Sequence, residues 1–514
     1  VNRGREIALA SAGAVLAVAT LAPLVALIAE LPSGAAGFQA WAHLRTWSLL
    51  GRSLGIASAV TAVALAIGIP LGVLFGRTDV IGRRTAWLVH AFAMFLPPLL
   101  PALGWFHLFG RNGLAGNETT ANLLFGPIGL IVILGLAFAP IATSLVALGV
   151  AGVDRSLEES ARTMARPWRV ITRIVVPAAS PAIALAAIAI FALALSELAV
   201  PMFLRVDVFP AAVFARLGGA DYAPGDAFAL VVPLIPIALA LVALERRLVG
   251  RRGFAVFGMQ DRSRHPLPLG RARVPATIAC WLAALISIAP IGSLAIRAFR
   301  GGGFNDVLAW ARRAPIDGLA AAAIAAAVIA VVGVIIGHAL ARRARGASSL
   351  DAIALLAFVM PAAVLGVGLI AVWNRSWTQS IYGTIGIVIV GFVARYSVIG
   401  IRVFATTVVQ LSPHLEEAAA AAGAGYLRRL VRIVLPLGAR GAGFAFLLAL
   451  VFCLRDVETA ILYYPPGREP LTVRIFTLEA NGSEATVAAL AVLHAGITAA
   501  VLAAGAALLA RLRR

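Results

Sequence analysis

The chain has 514 residues, 61% of them hydrophobic and 13% charged, a balance too apolar for the cores of a soluble protein of this size and one that requires a bilayer as solvent. The formal net charge is +20, and all 43 residues counted as Lys+Arg are Arg. They stand in short loops beside apolar runs and form no single basic domain, which points to anionic lipid headgroups and away from nucleic acid.

About twelve apolar runs follow one another, each near the roughly 20 residues that an α-helix needs to cross the hydrocarbon. They lie at 7–29, 53–75, 86–109, 127–150, 177–200, 227–244, 274–297, 318–340, 352–373, 383–406, 437–454 and 485–509. The pattern predicts an all-α integral membrane protein. The first run follows Asn2, Arg3 and Arg5 and resembles a signal segment, but without a small-residue cleavage site it is expected to remain as a helix. About 28 Arg fall on one side of the membrane, among them Arg3, Arg77, Arg83, Arg84, Arg246, Arg251, Arg342 and Arg514, and about 13 on the other. The richer side is expected to be cytoplasmic and to hold both termini. Arg395 and Arg402 fall inside a span. Cys280 and Cys453 both lie in spans, which leaves no disulfide framework and no cysteine metal site.

Matched residues recur about 260 positions apart. Gly68, Gly72 and Arg77 align with Gly333, Gly337 and Arg342; Pro97 and Gly104 with Pro361 and Gly368; Ile128 and Gly129 with Ile385 and Gly386; Pro177 with Pro436. Six spans per copy, an even number, make the repeats parallel. The expected domains are a first six-helix repeat over 1–244, a basic cytoplasmic linker over 245–273 and a second six-helix repeat over 274–514. With Arg246, Arg247, Arg251, Arg252, Arg262, Arg264, Arg271 and Arg273, the linker is expected to be mobile.

Between the fourth and fifth spans of each repeat lies a polar segment too long for a turn: 157–177, LEESARTMARPWRVITRIVVP, and 415–436, LEEAAAAAGAGYLRRLVRIVLP. Each opens with paired acids on a helix-forming run, breaks, and resumes as a basic amphipathic turn that ends at a proline. Gly423 and Gly425 supply the second break, and two short angled helices lying along the membrane surface are expected.

The second segment resembles the EAA loop of permease subunits of binding-protein-dependent ABC importers, which reads Glu-Ala-Ala, three residues, Gly, and an Ile-x-Leu-Pro ending. Glu417, Ala418, Ala419, Gly423, Ile433, Leu435 and Pro436 fit it. The first copy fits more loosely: Glu159, Ala161 and Pro177 match, Ala165 stands in place of Gly, Val176 in place of Leu, and one residue is missing before Pro177. The resemblance implies the ABC importer permease fold, and loops that dock into a cleft on a separate ATPase, one copy per loop. It also implies a separate extracytoplasmic substrate-binding protein and a place in the bacterial inner membrane. It points further to the fused branch that includes ferric-iron and thiamine permeases, and 454–476, LRDVETAILYYPPGREPLTVRIF, is most similar to the iron branch. Ferric iron is the first substrate expected, then thiamine or another small solute. The plainer reading of the loops is that their acids cap helix N-termini.

A P-loop needs a Lys at the terminal phosphates, and the chain has none. ATP and Mg are therefore expected on the partner ATPase, with no cofactor in this chain. Within the membrane, Glu197, Arg395, Arg455, Asp456 and Glu458 are the candidate translocation residues, with Glu197 and Asp456 at matching positions. Intramembrane charges are costly and mark pathways, and carboxylates suit a hard cation; the alternative is that they snorkel or pair across helices. Pro97, Pro98, Pro101 and Pro361 are placed to kink the third and ninth spans. His90, His107, His338 and His494 have no metal-ligand spacing and receive no role.

A secondary transporter of major-facilitator type is the competing reading, because 76–84, GRTDVIGRR, carries Asp79, Gly82, Arg83 and Arg84 in the manner of that family's signature. The preceding Gly is out of register, and a basic turn under the positive-inside rule accounts for the same letters. An enzyme would need acids, His or Cys converging on a pocket, and the charged stretch 455–458 has no nucleophile or His beside it.

Overall fold

The computed structural model describes residues 3–30, 38–39, 41–153, 167–218, 224–249 and 266–512. Among the described residues eight helices are long and apolar enough to cross a bilayer, and twelve segments qualify when each of four bent pairs counts once. In chain order these are α1 (Arg3–Ala29), α2 (Leu44–Arg77), α3 (Arg83–Phe95) with α4 (Leu99–Phe109), and α5 (Pro127–Ala151). Next come α6 (Ile171–Ala178) with α7 (Ser180–Ser196), α8 (Asp226–Leu248), α9 (Gly270–Arg300), α10 (Ala314–Ala341), and α11 (Ala347–Val359) with α12 (Ala362–Trp373). The series continues with α13 (Gly386–Val409). After it come the short α14 (Pro413–Ala421), α15 (Tyr426–Leu437) with α16 (Ala439–Leu454), and α17 (Glu484–Arg511). Among the described residues there is no strand, only an isolated parallel bridge between Thr78 and Leu267.

Each of the twelve expected spans has its helix, but the third and ninth are not straight rods. The angle is 106° between α3 and α4 and 108° between α11 and α12. Proline is the cause. Leu96 before Pro97 and Met360 before Pro361 are both extended, because the proline ring excludes the helical conformation from the residue ahead of it. Pro101 lies in the first turn of α4, where a missing N–H costs little.

The chain folds into two compact units. One comprises Val1–Leu49, Phe209–Val242 and Gly303–Arg514, the other Leu50–Val208 and Ala243–Gly302. These units cut across the repeats expected at 1–244 and 274–514: the lead helix of each repeat packs within the unit built mostly from the other.

In the unit containing α10 and α13, helix α13 is the core, with 78% of its apolar window buried. It lies against α10 through glycine. A Cβ at Gly333 would stand 2.5 Å from the carbonyl carbon of Gly400, so the two backbones touch in the small-residue packing common between membrane helices. Helix α1 covers part of this core: its Ala8 shares an apolar cluster with Phe404, Val408, Tyr426, Leu430 and Val434.

In the unit containing α2 and α5, helix α5 has the corresponding place, 72% buried, and Gly72 brings α2 onto it, a Cβ there meeting Val146 Cβ at 2.6 Å. Helix α9 packs on α3 and α4. His90 bridges two helices, its Nδ1 2.8 Å from Ser287 Oγ and its Nε2 3.1 Å from Thr143 Oγ1. Of the 245–273 linker, 250–265 lie outside the described residues. The part that follows is pinned. Leu267 N–H donates to Arg77 O at 2.8 Å and Asp79 N–H donates to Leu267 O at 3.2 Å. Leu269 N–H donates to Asp79 Oδ1 at 2.9 Å, and Arg273 pairs with Asp79 at 3.4 Å.

Candidate coupling loops and buried polar cluster

The second loop forms the two short helices that its composition calls for. Helix α14 starts with Pro413 in its first turn, where proline is tolerated. It ends at Gly423, whose φ of +84° is a left-handed conformation that L side chains avoid. Helix α15 then opens with one ordinary turn, Tyr426–Arg429, and continues as a π turn over Leu430–Val434 just ahead of Pro436. The first repeat has the same device, a π turn over Ile171–Val175 ahead of Pro177. A widened turn relieves the clash between a proline ring and the carbonyl four residues earlier.

The motif residues divide by exposure. Glu417 and Ala418 are exposed and Ala419 is half-buried. Glu417 pairs with its helix neighbour His414, at 3.0 Å, with both side chains open to solvent. Ile433 and Leu435 are half-buried and Pro436 is exposed. Glu159, Ala161 and Ala165 lie outside the described residues.

Sequence reasoning missed the acid that ties this loop to the membrane helices. Glu416 Oε2 is 2.8 Å from His338 Nε2, and Glu416 Oε1 accepts from Arg342 Nε at 2.9 Å and pairs with Nη2 at 2.8 Å. Arg342 Nη2 also donates to Leu411 O at 3.1 Å. Burial alone would raise the Glu416 carboxyl, but the hydrogen bonds and charges of His338 and Arg342 outweigh it and hold the group below its ordinary value of 4.5. The available signal was the pairing of acids: helical spacing turns two adjacent side chains about 100° apart, so one of them faces inward.

The second candidate cluster lies deep in α13. Arg395 and Asp456 are each 1% exposed, with Arg395 Nε 3.7 Å from Asp456 Oδ2. Asp456 is fully engaged: Oδ2 accepts from Tyr396 OH at 2.6 Å, and Oδ1 accepts from Thr459 N–H at 2.9 Å and from Thr459 Oγ1 at 2.5 Å. Its match Glu197 is also buried and likewise accepts from the N–H three residues on, Val200, at 3.2 Å. Both acids thus serve the starts of short helices, Ala199–Phe203 and Ala460–Tyr463. Arg455 is buried with its guanidinium carbon 5.5 Å from the Phe452 ring centroid, and Glu458 is half-buried. Arg395 Nε and Nη1 have no hydrogen-bond partner among the described residues. By the register of Ile385 with Ile128, the first repeat has the equally buried Phe138 in place of Arg395. Among the described residues no three or more His, Cys, Asp or Glu are grouped to hold a metal ion.

Comparison with known proteins shows what this chain is similar to. Residues 64–253 match the family model described as Binding-protein-dependent transport system inner membrane component. The putative ferric transport system permease protein FbpB 1 of Haemophilus influenzae is 27% identical over 416 residues, 75% of this chain and 64% of the relative.

The chain carries this family's domain over residues 64–253 and is similar to importer permeases along three quarters of its length.

The ferric transport system permease protein FbpB of Actinobacillus pleuropneumoniae is 26% identical over 419 residues, covering 75% of the permease and 59% of the relative. The permease thus spans about three fifths of the length of these two relatives. The molybdenum transport system permease protein ModB of Escherichia coli is 25% identical over 209 residues, 38% of the permease and 90% of the relative. The matched family is described as a transport component of the inner membrane, in keeping with the many apolar helices of this chain. The major-facilitator reading finds no support in these matches, and Asp79, on which it leaned, holds down the segment leading into α9.

Proposed function

We propose that the permease carries a small solute across the bacterial inner membrane by alternating access, driven by a separate ABC ATPase that binds ATP and Mg. Two ATPase copies grip the two loops on the cytoplasmic side, which also holds both chain termini, and an extracytoplasmic binding protein delivers the solute. The observation that carries this reading is α14: a short helix with no buried residue, showing Glu417 and Ala418 outward and ended by the left-handed Gly423. Such a knob suits a cleft on a partner. The test is co-purification from membranes with an untagged candidate ATPase, in wild type and in a Glu417→Arg, Gly423→Trp variant. Wild type is expected to retain the ATPase and the variant to lose it while still folding. A wild type that binds no ATPase and takes up solute on a proton gradient alone would overturn the proposal.

Ferric iron is the first substrate to try, because the two relatives aligned over 75% of the permease are named for ferric transport. A second substrate reading, an oxyanion, is favoured by the buried cluster: Asp456 has its oxygens occupied by hydrogen bonds, while Arg395 Nε, 3.7 Å from Asp456 Oδ2, and Nη1 have no hydrogen-bond partner among the described residues, and guanidinium suits oxyanions. Uptake of radioactive iron against radioactive molybdate into cells expressing the complete system separates the two.

A further inference from the structure

We infer that Glu416 is a positioning residue that ties the docking helix α14 to the membrane helix α10, so that a pull on α14 moves α10; this rests on the docking role proposed above. No residue of α14 is buried, so apolar packing gives the helix little grip on what lies beneath it. The polar tie does. One carboxylate receives both His338 and Arg342, which lie one turn apart at the end of α10. Arg342 also holds Leu411 O, just ahead of α14, and the Glu416 carbonyl faces Arg429 of α15 at 3.5 Å. A two-point, charge-assisted contact of this kind fixes direction as well as distance.

Below the tie the contacts are stiff. Gly333 and Gly337 of α10 leave no room for a Cβ against Gly400 and Ile401 of α13. Helix α13 in turn carries Arg395 and Tyr396, bonded to Asp456. A displacement entering at Glu416 therefore has a close-packed route to the buried cluster. The outward acid Glu417 meets the partner and the inward acid Glu416 carries the load, which gives the pair of acids a division of labour. In the first repeat Arg77 matches Arg342 and is buried, Val73 stands where His338 does, and Glu158, the match of Glu416, lies outside the described residues.

The test uses the full complex of permease, ATPase and binding protein in liposomes, reading ATPase retention and solute moved per ATP hydrolysed. With Glu416→Gln the ATPase should stay bound while solute per ATP falls about tenfold. A Glu416→Cys, Arg342→Cys variant should be uncoupled when reduced and recover when a short thiol cross-linker bridges the pair, a rescue that a merely structural role would not produce. An unchanged ratio in Glu416→Gln, or no recovery on cross-linking, overturns the tie and leaves the docking reading intact. Loss of the ATPase from Glu416→Gln makes Glu416 a docking residue and also overturns it. Failure of wild type to hold any ATPase overturns the docking reading, and the tie with it.

Discussion

Two regions perform the same packing task with different chemistry. In one unit the start of α1 lies against α15, with Ala8 in an apolar cluster beside Tyr426, Leu430 and Val434. In the other, the segment leading into α9 lies against α6, with Leu267 in an apolar cluster beside Val170, Ile171 and Val175. Each is a lead helix of one repeat braced on the coupling segment of a unit built mainly from the other repeat. The α9 brace adds a polar layer to its apolar one: Asp79 holds Leu269 and Arg273, Ile81 N–H donates to Thr277 Oγ1 at 3.3 Å, and Trp281 Nε1 donates to Ile81 O at 3.1 Å. Burial in such a position is non-directional, whereas hydrogen bonds fix register. The lesson is that the repeat preserves which surfaces meet and leaves open how they are held.

The sharpest way to break that comparison is at its apolar centre. Leu267→Ala should destabilise the permease by about 3 kcal/mol through lost burial and a cavity, read as a lower unfolding temperature in detergent; an unchanged temperature would remove Leu267 from the brace. On the other side Ala8→Leu, overfilling the Tyr426 cluster, should cost about 2 kcal/mol in the same assay. Asp79→Ala tests the polar layer. It should cost about 1.5 kcal/mol and raise the reactivity of a cysteine placed at position 271, since the Leu269 N–H and Arg273 both lose the Asp79 carboxylate; no change in reactivity would show the segment to be held without that carboxylate.

Smaller effects sharpen the contrast between the two acids of the second loop. The Glu416 carboxyl is depressed in the folded protein, so its tie contributes stability that is present above about pH 4.5 and is lost as pH falls through the folded value. Hydrogen exchange across α14 should rise in that acidic window in wild type and lose its pH dependence there in Glu416→Gln; identical profiles would exclude Glu416 as the titrating group. Glu417→Gln should change unfolding by less than about 0.5 kcal/mol, because its pair with His414 is exposed, while weakening ATPase retention. A large loss of stability there would contradict the exposed position of the side chain.

Much of this was legible in the order of the residues. The break at Gly423 followed from composition, because a glycine after a run of alanines ends a helix by local backbone preference alone. The bends at Pro97 and Pro361 were legible as kinks but not as turns past a right angle, since their size depends on what the following helix packs against. Glu197 and Asp456 were legible as a matched pair of acids in the membrane. Their use in accepting from the N–H three residues on was not, because both readings need the same letters. His338 had no role in the sequence because its partner, Glu416, is 78 residues away.

By itself, then, the amino-acid order determined the apolar spans, the twofold repeat and the two-part coupling segment, all of which follow from hydropathy, residue spacing and backbone preference within about one helix length. Tertiary structure decided which lead helix joins which unit, which of two adjacent acids turns inward, and that Arg395 meets Asp456. Those outcomes depend on close approach between helices distant in the chain, where a missing Cβ at Gly333 or Gly72 sets the distance and a buried charge must find a partner.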